Sequence, residues 1–411
     1  MELFKKAGEN DRQFIFRVGR AKENGSIDLN WQEIADLFNR ELTEIKGPED
    51  KLSASTYQQQ YRIAVLYYED VFKDNCITEE VQEQLDLIRD KTQELYKEKV
   101  KMQDVAREHR KHLRDEARIE TIIEAIKEDS CRFTPVIEPY IEKNSVEDGE
   151  AILCIGDWHI GAIANNFYNK FNAQIAEQRV QELCQKTIKY CERNNISTLH
   201  ILNLGDLLEG EIHTTSRIES ELDVIEQMKF ASRLLCQLLV TLSSKVKNVY
   251  YRSVLDNHSR VQSNYKDHIE KESFCKIIDW WLESKIESIN KELKDKNMLN
   301  HIEMIKDNLD DNIGYLRIGK KNIFFQHGHL GNQNSVIQDL SLATDVVADI
   351  VILGHWHLDK IKNVQGKKVF FNGSLKGVDS YAFNKRYFNP PTQSLIIFEE
   401  EDIIDIPMLL K

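Results

Sequence analysis

The sequence of 411 residues is poor in residues that break or cross-link a chain, with 6 Pro, 17 Gly and 7 Cys. So little Pro and Gly excludes a collagenous or linker-dominated protein. The cysteines are scattered without paired spacing, which argues against a disulfide framework and for thiols of a reducing compartment. No run of about eighteen apolar residues lacks a charge, so no membrane span is expected. The opening Met1-Glu2-Leu3-Phe4-Lys5-Lys6 has no apolar stretch ahead of small residues, so no secretory leader is expected. Positive charge is also short: 55 Lys and Arg against 68 Asp and Glu leave a net charge of -13. A protein that coats nucleic acid through many phosphate contacts carries the opposite balance. Here a local basic face or bound cations would have to offset the repulsion. A cytoplasmic protein is expected.

What is present is enough for a sizeable core, with 41% hydrophobic and 30% charged residues, and a length that suggests two to three domains. Helical periodicity dominates up to about Asp129, whereas short apolar runs alternate with amphipathic stretches from Ala151 onward. Residues 130–150, with Pro135, Pro139 and Gly149, form the expected connector. Within the helical part, residues 1–75 suggest a helix-turn-helix arrangement. One helix carries Trp31, Ile34, Ala35 and Phe38 on a face, and a second follows a Ser53–Thr56 cap. Gln58, Gln59, Gln60 and Arg62 would point outward from it, toward DNA bases or phosphates, or simply toward solvent. Residues 76–129 form a long helical segment. Val81, Leu85, Ile88, Thr92, Leu95, Lys99, Met102 and Ala106 keep heptad spacing, an imperfect coiled-coil seam that would allow homo-oligomerisation, an intramolecular hairpin or a long helix lying on its own catalytic domain.

From Ala151 to the C-terminus, five clusters of ligand-type residues each follow an apolar run. Ala151–Ile155 leads to Asp157 and His159, and His200–Leu204 leads to Asp206 and Glu209. Val249–Val254 leads to Asn257 and His258, Ile323–Phe325 to His327 and His329, and Asp349–Leu353 to His355 and His357. A run of about five apolar residues has the length of a buried strand. In an α/β sheet, polar residues just past the carboxyl ends of strands gather in one crevice. Oxygen and imidazole donors without a thiol suit hard or borderline divalent cations. A shared carboxylate would let one site hold two ions, roughly 3.5–4 Å apart, against both oxygens of a phosphoryl displacement.

In this order the clusters resemble the calcineurin-like metallophosphoesterase superfamily, whose motifs D-x-H, G-D-x-x-[DE], G-N-H-[DE], a single His and G-H-x-H they match in turn. The resemblance implies an α/β (α+β) class catalytic domain over 151–411, a four-layer αββα sandwich behind the helical N-terminal region. It implies two divalent metals, with manganese the expected ion and magnesium, iron(II) or zinc the alternatives. Carried over by motif, Asp157, His159, Asp206 and His357 would hold the first metal. Asp206, Asn257, His327 and His355 would hold the second, with Asp206 bridging. A hydroxide between the ions would be the nucleophile, and His258 would stabilise the transition state or protonate the leaving oxygen. This sequence departs from the family at Asp256, where Gly is usual, and at Ser259, where an acid usually orients the His. Glu209 stands in place of Asp.

The protein-phosphatase pattern G-D-x-x-D-R-G is not met at Glu209-Gly210. Gly156-Asp157-Trp158-His159-Ile160-Gly161 instead resembles the opening of SbcD-type DNA repair nucleases, and Asn372–Gly377 their P-G-S segment. With Glu211-Ile212-His213, these strings also look like phosphoesterases of tailed bacteriophages and prophages, so a bacterial or phage-infected host cell is the expected setting. His213, Arg217, Arg260 and Lys376 are candidate substrate contacts. The expected activity is a metal-dependent DNA nuclease. A small-molecule nucleotide phosphodiesterase or phosphatase and a non-catalytic DNA-binding scaffold are the alternatives. The ATPase partner of SbcD-type proteins is not expected, because the capping region that joins it has no counterpart after Leu395–Phe398.

Overall fold

The computed structural model describes every residue except 1–2, 43–44, 46, 73–78, 143–148, 213–217, 219, 265, 267, 270 and 400–401, and the backbone alone of 79, 80, 112 and 115. His213 and Arg217 therefore lie outside the described residues. The chain divides into two compact units, Met1–Leu113 and Arg114–Lys411, and the boundary falls inside one helix, Glu79–Arg132.

Three helices, Asp11–Glu23, Trp31–Glu41 and Ala54–Tyr67, make up the core of the first unit. The first two start with reciprocal capping boxes, Asn10 with Gln13 and Asn30 with Glu33, so orphan N–H groups are satisfied on both sides of the cap. Phe14, Val18, Ile34, Phe38, Tyr57 and Tyr61 fill the space between them. Gly19 is required there, since a Cβ would lie 2.4 Å from the Tyr61 ring. Residues 42–53 join the second and third helices, a longer link than the 3–4-residue turn of a compact helix-turn-helix. On the third helix Gln59 and Arg62 are exposed and Gln58 is half-buried. Along Glu79–Arg132, the seam residues Val81, Leu85, Ile88, Leu95 and Met102 are all exposed.

The second unit is built on two sheets. The larger contains β1 (Gly149–Ile155), β4 (Ile196–Asn203), β5 (Asn248–Ser253), β6 (Ile302–Met304), β12 (Thr392–Glu399) and β13 (Asp402–Leu409), in the order β13-β12-β1-β4-β5-β6. The smaller contains β7 (Gly314–Ile318), β8 (Lys321–Gln326), β9 (Ile350–Leu353), β10 (Lys360–Val364) and β11 (Lys367–Phe371), in the order β10-β11-β9-β8-β7. A short hairpin, β2 (Ala164–Asn165) and β3 (Lys170–Phe171), stands apart.

Side-chain alternation makes this a four-layer sandwich. Ile152 and Cys154 of β1 face Ile323 and Phe325 of β8 and Ile350 and Ile352 of β9, so the two sheets pack on each other. The intervening Ala151, Leu153 and Ile155 face helices Ala173–Arg193, Val224–Ser243 and Phe274–Asp295. On the far face of the smaller sheet, Phe324, Val351 and Leu353 pack under helix Val336–Thr344. The αββα layering implied by the motifs is thus present. Residues 114–142, assigned by sequence partly to the long helix and partly to the connector, also pack here: Ile122 and Ile126 join the main core, and Phe133 meets Trp281. No helix among the described residues is long and apolar enough to cross a membrane.

Candidate metal centre

Strands β1, β4 and β5 run parallel in one sheet, and β8 and β9 run parallel in the other. Their carboxyl-end loops carry Asp157 and His159, then Asp206, then Asn257 and His258, then His327, then His355 and His357. Backbone bonds tie the loops to one another: Asp157 N–H donates to the Gly205 carbonyl at 2.9 Å, and His159 N–H to that of Asp206 at 3.0 Å. Five of these residues sit in the left-handed region, with φ of 49° at Asp157 and His159, 51° at Asp206 and His357, and 66° at His355. Such a backbone is costly for a side-chain-bearing residue and concentrates at functional sites. Gly205 must be glycine, because at its φ of +93° a Cβ would lie 2.5 Å from Cβ of Asp256.

The side chains converge in overlapping groups. Asp157, His159 and His357 form one, and Asp206, His327 and His355 another. A third, His159, Asp206 and His258, links them, with all ligand atoms in each group within 4.8 Å of one another. Nε2 of His357 lies 3.3 Å from Asp157 Oδ1, and Nε2 of His327 lies 3.1 Å from Asp206 Oδ2 and 2.8 Å from Asn257 Oδ1. Asp206 stands in both the second and third groups, which is the position a bridging carboxylate needs.

The donor set fits divalent cations. Nδ1 of His159 is hydrogen-bonded to Glu209 Oε2 at 3.0 Å, and its Nε2 faces Nε2 of His357 at 3.1 Å. Nδ1 of His327 donates to the Leu204 carbonyl at 2.7 Å, leaving Nε2 to face carboxylate and amide oxygens. Lone-pair atoms aimed at each other need a cation or a proton between them, and fixing Nδ1 selects Nε2 as the ligand. Burial, with Lys376 nearby, lowers His159 to about 4, so its imidazole is neutral. Burial also opposes a charge on His327, but the carboxylates of Asp206, Asp157 and Asp256 prevail and raise it to about 10. That same negative field would favour a metal in place of the proton.

The departures from the family pattern compensate each other. The Asp256 carboxylate accepts from Asp206 N–H at 2.8 Å, from Ser259 N–H at 2.7 Å and from the Ser259 hydroxyl at 3.0 Å. The acid missing at position 259 is replaced in its orienting role by a main-chain group: Nδ1 of His258 donates to the Glu209 carbonyl at 2.7 Å. That bond turns Nε2 of His258 toward the cluster, 4.0 Å from Asp206 Oδ2.

Among the expected substrate contacts, Arg260 lines a cavity of about 230 Å³ beside Asn257, together with His268, Asn312 and His329. The ammonium of Lys376 is buried against Asp379 at 2.8 Å and Glu209 at 3.6 Å, which links it to the site through Glu209. Sequence reasoning missed two supports. Arg179 donates to the carbonyls of Leu375 and Lys376, and Gln393 bonds to both Gly156 N–H and Gly373 O. Gln393 stands between Thr392 and Ser394, just ahead of the apolar run Leu395–Phe398 of β12, where no sequence signal marks it.

The order of the motifs resembles that of calcineurin-like metallophosphoesterases. No protein-family model matches the chain. The SPbeta prophage-derived uncharacterized protein YonJ of Bacillus subtilis (strain 168) is 26% identical over 355 residues, 85% of this chain and 82% of that protein. Among solved structures, a novel archaeal phosphodiesterase aligns with 63% of this chain and 99% of its own, at 14% identity and a TM-score of 0.32. Vps29 complexed with zinc from Entamoeba histolytica aligns with 64% and 99%, at 15% identity and a TM-score of 0.27. A predicted phosphoesterase from Streptococcus pneumoniae TIGR4 aligns with 64% and 99%, at 12% identity and a TM-score of 0.27.

Proposed function

We propose that this chain is a two-metal phosphodiesterase that cleaves DNA. The observation that carries the reading is Asp206, a buried carboxylate shared between linked groups of His and Asp donors. Asp157, His159, Asp206 and His357 would hold one ion, and Asp206, Asn257, His327 and His355 the other, with manganese the ion to test first. Bound there, the ions would neutralise phosphate charge, stabilise the attacking and leaving oxygens and lower the pKa of water. The chain's own residues supply orientation. Glu209 fixes the ring of His159, the Leu204 carbonyl that of His327, and the Glu209 carbonyl that of His258. His258, whose Nε2 lies 4.0 Å from Asp206 Oδ2, would hydrogen-bond a phosphoryl oxygen or hand a proton to the leaving oxygen.

DNA as substrate is supported by the SbcD-like strings at Gly156–Gly161 and Asn372–Gly377 and by the likeness to a prophage protein. The test is cleavage of labelled single- and double-stranded DNA with manganese, beside bis(p-nitrophenyl) phosphate as a small diester. DNA cleavage that outpaces a nucleotide panel supports the reading. Turnover of the small diester without any DNA cleavage rejects the nuclease assignment and keeps the phosphodiesterase. A second reading, a small-molecule nucleotide phosphodiesterase, is favoured by the cavity beside Asn257 and by the net charge of -13, since a small ligand needs no basic groove.

A further inference from the structure

Residues 163–171 and 380–391 contain seven aromatic rings, three cations and no carboxylate, in a chain whose net charge is -13. Except for Phe171, which is buried in the core, these rings lie at the surface. The tip of the β2–β3 hairpin presents Phe167, 90% exposed, and Tyr168, 57% exposed. The Tyr168 ring packs 4.5 Å from that of Phe388 and 5.9 Å from that of Phe383, while Tyr381 and Tyr387 stay exposed nearby in the chain. Arg386 lies over the Phe383 ring at 5.6 Å, Lys385 over the Tyr381 ring at 6.0 Å, and Lys170 is exposed. Leaving large rings in water is unfavourable unless something covers them.

The surface is held rigidly and is coupled to the metal-ligand cluster. Asn166 and Asn169 each donate to the Val378 carbonyl, at 2.9 Å and 3.1 Å, which pins the hairpin to the loop before helix Ser380–Lys385. Asp379 caps that helix by accepting from Ala382 N–H at 2.8 Å and holds Lys376 with its other oxygen. Lys376 in turn meets Glu209, which orients His159.

We infer that this aromatic and cationic surface binds single-stranded nucleic acid, stacking unpaired bases on the rings while Lys170, Lys385 and Arg386 meet phosphates. The inference rests on the phosphodiesterase reading and specifies its substrate as unpaired strand. Base stacking on aromatic rings is independent of sequence, and cations beside the rings follow the backbone. In a duplex the base faces are already stacked and unavailable. A second copy of the chain is a poorer occupant, because a two-fold contact would set the same cations against each other.

The experiment measures fluorescence anisotropy of a labelled, phosphorothioate-linked oligothymidylate and of a duplex of equal length, with the protein as purified. The Phe167→Ala/Tyr381→Ala double variant alters exposed rings, and an unchanged melting temperature certifies its fold. Single-strand affinity is expected to fall about tenfold or more in the double variant, with duplex affinity little changed. Lys385→Gln/Arg386→Gln should weaken single-strand binding and flatten its salt dependence. Unchanged single-strand affinity in the double variant overturns the inference, as does a wild-type protein that fails to bind the strand. A change of molecular mass in the double variant by light scattering, with strand affinity intact, assigns the rings to self-association and also overturns it. Turnover of bis(p-nitrophenyl) phosphate by the unaltered protein is followed separately. Its absence removes the phosphodiesterase reading, while ring-dependent strand binding still decides the surface.

Discussion

Lys376 and Glu209 form a buried ion pair, with Nζ 3.6 Å from Oε2, and that same Oε2 holds Nδ1 of His159 at 3.0 Å. Burial alone would raise the Glu209 carboxyl, but Lys376 and then His159 hold it well below the usual carboxylate range. An ionised acceptor keeps the proton of His159 on Nδ1 and its Nε2 lone pair toward the cluster. Lys376 would therefore act as a positioning residue, through Glu209.

Lys376→Met is expected to lower metal affinity by about 10- to 100-fold, the usual cost of losing an outer partner of a metal-ligating His. Calorimetric titration with manganese checks it. Lys376→Arg, which keeps the charge, should recover part of the loss. Unchanged affinity in the Met variant would mean that Glu209 stays ionised and oriented without its partner.

Asp206→Asn should remove turnover while the fold persists. The substitution keeps shape but deletes the charge common to both proposed ion sites. Metal analysis of the purified variant is expected to give fewer ions per chain than the wild type, with an unchanged far-ultraviolet dichroism spectrum. Full metal loading with full activity would refute the bridging role.

The five strand tips were legible because each obeys a local rule, an apolar run of strand length followed at once by a ligand-type residue. The layer architecture followed from the same runs, since successive strand residues such as Ile152 and Leu153 had to face opposite sides of the sheet. What was not legible depends on contacts far apart in the chain. Nothing around Lys376 in sequence says that its charge is spent on Glu209, 167 positions earlier. The substitution pair Asp256 and Ser259 looked like two defects, and only the hydrogen bonds between them reveal one compensated turn. Likewise Arg179 anchors the Leu375–Lys376 carbonyls from a helix whose periodicity gives no hint of it. The rings of Phe167 and Tyr168 lie in a hairpin too short to give a strand pattern.

Asp256→Ala should destabilise the protein by about 2–3 kcal/mol, because it leaves the Asp206 N–H and both Ser259 donors without their buried acceptor. Denaturant unfolding measures it. Ser259→Ala alone, which removes only the hydroxyl bond, is expected to cost about 1 kcal/mol. Equal effects of the two variants would show that the Asp206 N–H contact contributes little.

Asp279 carries a pH dependence away from the metal cluster. Burial raises its carboxyl from 3.8 to about 6, against the hydrogen bonds from the Ser253 and Tyr251 hydroxyls that favour the charged form. The folded state therefore holds this proton more tightly than the unfolded chain. Stability from Asp279 is unaffected below about pH 4, where both states are protonated. It falls as pH rises from about 4 to about 6, because only the unfolded chain has then ionised, and it is constant above. Asp279→Asn cannot ionise, so it should abolish this fall, although its one amide oxygen replaces only one of the two carboxylate oxygens that accept from the Ser253 and Tyr251 hydroxyls. Urea unfolding of both proteins at several values between pH 4 and 7 gives the comparison. Parallel stability curves would mean that Asp279 ionises in the folded protein as readily as in water.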